Sequence, residues 1–224
     1  MRETYHGELT AIREQIVEMT RLAGSAMQRA STALLDADLT LAESVIARDE
    51  DLDKLQRDLD ERAYDLLARQ QPVASDLRVV VTSLRMSATL ERMGDLARHV
   101  AKIARLRYPD SAVPVEMRPI AIEMASVATR MAAKVGGALA TADVETAMEL
   151  HSDDDEMDRL HRSLYTALLD GTWKHGMEAA IDLTLIGRYY ERFADHAVSL
   201  AKREVYLVTG EHVEQGASLT PPAG

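Results

Sequence analysis

Cysteine is absent from the 224-residue chain, which excludes disulfides, thiolate nucleophiles, Cys-ligated zinc and iron–sulfur clusters. No apolar run approaches the ~20 residues of a membrane span. Aromatics amount to 4% (one Trp, one Phe and seven Tyr), whereas sheets favour aromatic and β-branched residues. Cations are in deficit, 26 Lys+Arg against 37 Asp+Glu for a formal charge of −11. A general nucleic-acid binder needs the opposite balance, so the surplus points to cationic partners or metal ions. The first ten residues carry Glu3 and Glu8 and lack the basic-then-apolar order of a secretory signal. A cytoplasmic protein is expected.

What remains is an alphabet of helix formers, with 46% apolar residues, enough for a buried core. Proline maps the chain, because a helix interior excludes it at a cost of ~3 kcal/mol. Prolines stand only at Pro72, Pro109, Pro114, Pro119, Pro221 and Pro222. Leu9, Ile12, Ile16, Met19, Leu22, Ala23 and Met27 step mostly by three and four, the helical period. The pattern predicts six helices, at roughly 3–35, 39–69, 74–107, 117–140, 144–170 and 174–209. Asp38 and Asp143 serve as N-caps for the second and fifth. A flexible tail is expected over 211–224.

The six helices read as two copies of three. Ala37, Asp38, Ala42, Asp49, Asp53 and Leu55 recur 105 residues later as Ala142, Asp143, Ala147, Asp154, Asp158 and Leu160. Past the second hairpin turn the offset becomes 100, where Glu91-Arg92-Met93-Gly94-Asp95 matches Glu191-Arg192-Phe193-Ala194-Asp195. The expected architecture is all-α: two tandem, pseudo-symmetric three-helix bundles over 1–108 and 115–210.

Glu91 and Asp95 lie four apart on one helix face, as do Glu191 and Asp195. Arg92 and Arg192 are neighbouring cations that offset such pairs, and a single pair is no more than a solvated face. Folding each hairpin at its turn changes this. Position 93, 21 residues beyond Pro72, mirrors position 51, and 193 mirrors roughly 154. Asp49/Asp53 and Asp154/Asp158 are therefore expected opposite the two motifs. Facing carboxylates repel by about 4 kcal/mol per pair at ~4 Å and an effective dielectric of ~20, so protons or cations must neutralise them. Oxygen-rich clusters suit divalent or trivalent ions such as Mg, Mn, Ca or iron. His99 continues the Asp95 face and His196 follows Asp195; either is a possible nitrogen ligand. His151, His161 and His175 fall in no comparable pattern, and the repeated motifs hold no Glu-x-x-His pair of the di-iron oxidase kind. No Gly-rich phosphate loop or nucleophile elbow occurs. Gly136-Gly137 is read as a close helix contact, and Met86, Met93, Met124 and Met131 as core.

Gln71-Pro72-Val73-Ala74-Ser75-Asp76-Leu77-Arg78, with the two motifs at 91–95 and 191–195, resembles the PhoU family over nearly the whole chain. The resemblance implies a cytoplasmic negative regulator of the phosphate-starvation response, commonly dimeric and without catalytic turnover. It implies partners in the phosphate-specific ABC transporter ATPase and a PhoR-type sensor histidine kinase. It also implies metal held by Glu91, Asp95, Glu191 and Asp195. One turn later, where the family commonly has Asn, this chain has His99 and Ser199, which leaves ligand set and metal open. The alternative is a carboxylate-bridged metalloenzyme of phosphohydrolase or oxidase type. A third reading is a bundle that binds no metal.

Overall fold

The computed structural model describes residues 2–212; the rest of the expected tail, 213–224, lies outside the described residues. The helices are α1 (Arg2–Asp36), α2 (Leu39–Ala47), α3 (Asp49–Gln70), α4 (Ala74–Arg107), α5 (Arg118–Thr141), α6 (Val144–Leu169) and α7 (Gly176–Thr209). A 3₁₀ turn, Val115–Met117, leads into α5, and there is no strand among the described residues.

The helix predicted over 39–69 is two. Arg48, at φ −86° and ψ 0°, interrupts it between α2 and α3. Asp49, Glu50 and Asp51 then occupy the first turn of α3, where the exposed amides at a helix start favour negative charge. The last helix begins at Gly176 instead of near Lys174.

The internal repeat is visible in atomic detail at the turn that starts the middle helix of each half. Ala37 and Ala142 both adopt left-handed conformations, φ 50° and 58°. The next amide in each case, of Asp38 or Asp143, donates back to Ala33 or Ala138 at 3.0 Å. Each aspartate then caps the new helix, Asp38 accepting from the Leu41 amide at 2.9 Å and Asp143 from that of Thr146 at 3.1 Å. An alanine in the left-handed region costs about 1–2 kcal/mol, which the cap and backbone bonds offset.

α1, α2–α3 and α4 form one bundle, and α5, α6 and α7 the other. Their shared face is made by α1 on α5 and α4 on α7, so a contiguous core runs through both. Met86, Met93, Met124 and Met131 lie within it, all but fully buried, as do Tyr190 and Phe193. Each such side chain contributes about 1.5–3 kcal/mol of burial. The tight approach of α1 to α5 is at Gly24, where a Cβ would stand 3.0 Å from the Ala132 Cβ. Gly136, expected to serve that purpose, has only ordinary clearance, and Gly137 meets nothing. Polar contacts register the halves: Tyr190 donates to Ser31 Oγ at 2.7 Å, and Arg13 donates to the Leu139 carbonyl while pairing with the buried Glu204.

Candidate metal centres

The hairpin of α3 and α4 closes at the expected register. A Cβ on Gly94 would lie 2.7 Å from Leu52 Cδ2 and 3.7 Å from Asp49 Oδ1, so the helices approach closely beside the first acidic motif. This brings Asp49 and Asp53 of α3 to the level of Glu91 and Asp95 of α4. Burial raises the Glu91 carboxyl above its ordinary range, and repulsion from Asp95, Asp53 and Asp49 raises it further. Burial likewise lifts Asp49, with Asp95 and Asp53 adding to the effect and Arg98 opposing it.

The same construction is found in the second half. Asp158 of α6 acts on Glu191 of α7, and Asp195 of α7 acts on Asp154 of α6. The Asp154 carboxyl is pushed up to about 6, first by burial and then by Asp195 and Asp158. Glu191 rises for the same reasons, with Asp195 the leading charge, while Arg188 opposes. All eight carboxylates expected from the sequence therefore fall into two coupled quartets.

The quartets differ in their internal cations. Arg98 reaches into the first, binding Asp49 Oδ2 at 2.8 Å and pairing with Asp95. The corresponding residue of the second half is Val198. There Arg188 bonds both oxygens of Glu191 at 2.6 Å, while Asp154 has no salt-bridge partner among the described residues. Arg92 and Arg192, the offsetting cations suggested by sequence, make no ion pair among the described residues. Arg98 and Arg188 were legible only as residues one turn from the motifs, at i+3 from Asp95 and i−3 from Glu191.

His99 packs its ring on Tyr189 of α7, 5.2 Å between centroids, and Asp95 is the carboxylate acting on it. Burial lowers its basicity. His161, set aside by the sequence pattern, turns out to neighbour the second quartet. Its ring meets Gly187 and is influenced by Arg188 and Asp158, and its Nε2 is buried without a hydrogen-bond partner among the described residues. The available signal was its place three residues after Asp158, on the same helix face. Asp153 is occupied otherwise, bridged to Arg130 at 3.0 Å and Lys134 at 2.8 Å.

Crowded carboxylates attract protons or cations. The second quartet, in which Asp154 and Glu191 are half-buried and Asp158 and Asp195 exposed, fits a cation, with a carboxyl at about 6 and an imidazole nitrogen unpartnered among the described residues beside it. Among the described residues no three Asp, Glu or His side chains are drawn close enough to clasp an ion as they stand. Binding would therefore draw the side chains inward, and at the first quartet it would compete with Arg98.

Comparison with known proteins covers both halves. The family model described as the PhoU domain matches twice, at 16–104 and 121–203. The phosphate-specific transport system accessory protein PhoU homolog 2 of Mycobacterium tuberculosis is 48% identical over 210 residues, 94% of this chain and 99% of that protein. The corresponding PhoU homolog 1 of Mycobacterium leprae is 46% identical over 214 residues, 96% of each. The crystal structure of PhoU from Pseudomonas aeruginosa superposes with a TM-score of 0.84 at 29% identity, covering 92% of this chain and all of that one.

Proposed function

This chain belongs to the PhoU family, and from that premise we propose that it regulates phosphate uptake as an accessory protein of a phosphate-specific transporter. Its work is binding, without catalytic turnover. One helical surface meets the transporter's ATPase and another a sensor histidine kinase, so that starvation genes stay off while phosphate is plentiful. A homodimer acting in the cytoplasm, at the membrane only through its partners, fits this role. No helix among the described residues is long and apolar enough to cross a membrane.

The observation that carries the reading is the full-length likeness to relatives named as transport accessory proteins, with both repeats present. The two quartets supply the means of setting each bundle's geometry. Glu91, Asp95, Asp49 and Asp53 would hold a divalent or trivalent ion in the first bundle, beside His99. Glu191, Asp195, Asp154 and Asp158 would hold one in the second. A bound ion would supply charge neutralisation that clamps the middle helix of each bundle to the last. Arg98 performs part of that office in the first bundle through its own guanidinium.

Clean deletion in a strain with no second PhoU-like copy is the test. A phosphate-starvation reporter is expected to fire in phosphate-rich medium. Unchanged reporter output would overturn the assignment.

A further inference from the structure

α4 and α7 run antiparallel, so each end of α4 meets the opposite end of α7, and the two meetings differ in charge. Where α4 finishes and α7 begins, Arg107 donates to Asp182 Oδ1 at 3.1 Å and also pairs with Glu178. One repeat earlier, 100 residues back, Glu178 and Asp182 correspond to Arg78 and Thr82. The end where α4 begins and α7 finishes therefore lacks the acids that settle its counterpart. It gathers cations instead.

Arg85, Lys202 and Arg203, with Thr82 and Ser199, line a cavity of about 190 Å³ there. Its remaining wall is the Tyr206 ring, stacked on His212 at 4.0 Å. Arg203 is half-buried, and its one side-chain bond among the described residues is the donation from Nη1 to Thr89 Oγ1 at 2.7 Å. Burial and the repulsion of Arg85 both weaken its hold on its proton, with no carboxylate among the described residues opposing them. Arg78 adds a fourth cation at the edge, 5.5 Å from the Tyr206 ring centre, with its Nε buried and unpartnered among the described residues. The fully buried charges among the described residues are paired, Glu204 with Arg13, Asp153 with Arg130 and Asp182 with Arg107. Desolvating a charge without a partner is unfavourable, and crowding like charges adds to it. A bound anion relieves both.

We propose that this cavity between α4 and α7 is a binding site for a tetrahedral oxyanion, with free inorganic phosphate as its ligand. Guanidinium forks from Arg85 and Arg203 match oxyanion geometry, and Lys202 adds a point charge. The volume decides between sources of the same chemistry. At about 30 Å³ per water the cavity has room for roughly six waters, enough for a five-atom oxyanion and its hydration. Pockets for larger organic ligands run to roughly 300–1,000 Å³, so the phosphate of a nucleotide would leave most of its molecule outside. The site is separate from both carboxylate quartets and stands whether or not the protein regulates a transporter.

Calorimetric titration of the full chain at constant ionic strength tests it, with inorganic phosphate, sulfate and ATP as separate probes. The wild type is expected to take up one phosphate per chain, with sulfate bound comparably and ATP more weakly. The Arg85→Gln/Lys202→Gln variant alters two side chains at the cavity mouth and should bind at least tenfold more weakly. Arg203→Gln should melt higher than wild type without phosphate, because an unpaired charge is gone, and should lose the rise in Tm that phosphate gives the wild type. Arg92→Gln, outside the cavity, should bind as wild type does. Equal phosphate binding by wild type and the double variant, no phosphate binding by the wild type, or a preference for ATP would each overturn the proposal.

Discussion

Asp154→Asn isolates the charge on which the second quartet turns. Burial, then Asp195 and Asp158, raise the Asp154 carboxyl from 3.8 to about 6. An acid raised in the folded state contributes its stability in full below the unfolded value of 3.8 and loses it as pH climbs through about 6. About two units correspond to about 3 kcal/mol at 1.36 kcal/mol per unit. Asp154 is only half-buried, and solvent screening brings this to about 1.5 kcal/mol. The amide keeps the shape and removes the charge. Metal-free Asp154→Asn protein at neutral pH should therefore be more stable than wild type, melting about 3–6 °C higher for a chain of this size. Near pH 4.5, where the wild-type group is protonated when folded, the gap should shrink to about a third. Added Mn²⁺ or iron should reverse the order, because the wild type keeps a ligand that the variant has lost. Differential scanning of both proteins, chelated and metal-loaded, reads all of this. A variant no more stable than wild type at neutral pH, or one with an equal gain at both pH values, would refute the electrostatic reasoning.

Two other perturbations probe the same architecture. Glu91→Gln with Asp95→Asn should cut bound metal while the helices remain, and Glu191→Gln with Asp195→Asn should remove a separate portion; elemental analysis and circular dichroism check both. Gly94→Val should destabilise by about 1–3 kcal/mol, since even a Cβ there meets Leu52 Cδ2 at 2.7 Å, and denaturant titration measures the loss.

Much of this organisation follows from local rules. Proline positions and apolar spacing place α1, α4 and α6 to within a residue or two, because long helices carry many repeats of one signal. The two aspartate caps are legible for the same reason, each preceding an apolar-periodic run. The break at Arg48 is not, because neither proline nor glycine marks it and residues on both sides favour helix. The quartets are legible because a hairpin with a known turn fixes which residues face one another. Their counter-ions are harder. Arg92 and Arg98 each stand three residues from Asp95, and only the rotation of α4 against α3 decides that Arg98 reaches Asp49. His161 depends on helix packing across Gly187, and the cationic cavity on how α4 crosses α7 between the halves. The first of these spans 26 residues and the second more than a hundred, so neither leaves a local pattern.

Complementation of the deletion strain joins the carboxylates to the function. Wild-type protein and the Glu91→Gln/Asp95→Asn/Glu191→Gln/Asp195→Asn variant would be expressed at equal, verified levels, with the starvation reporter read in phosphate-rich medium. The account predicts that wild type restores repression and the folded quadruple variant does not. Full repression by the quadruple variant would contradict it.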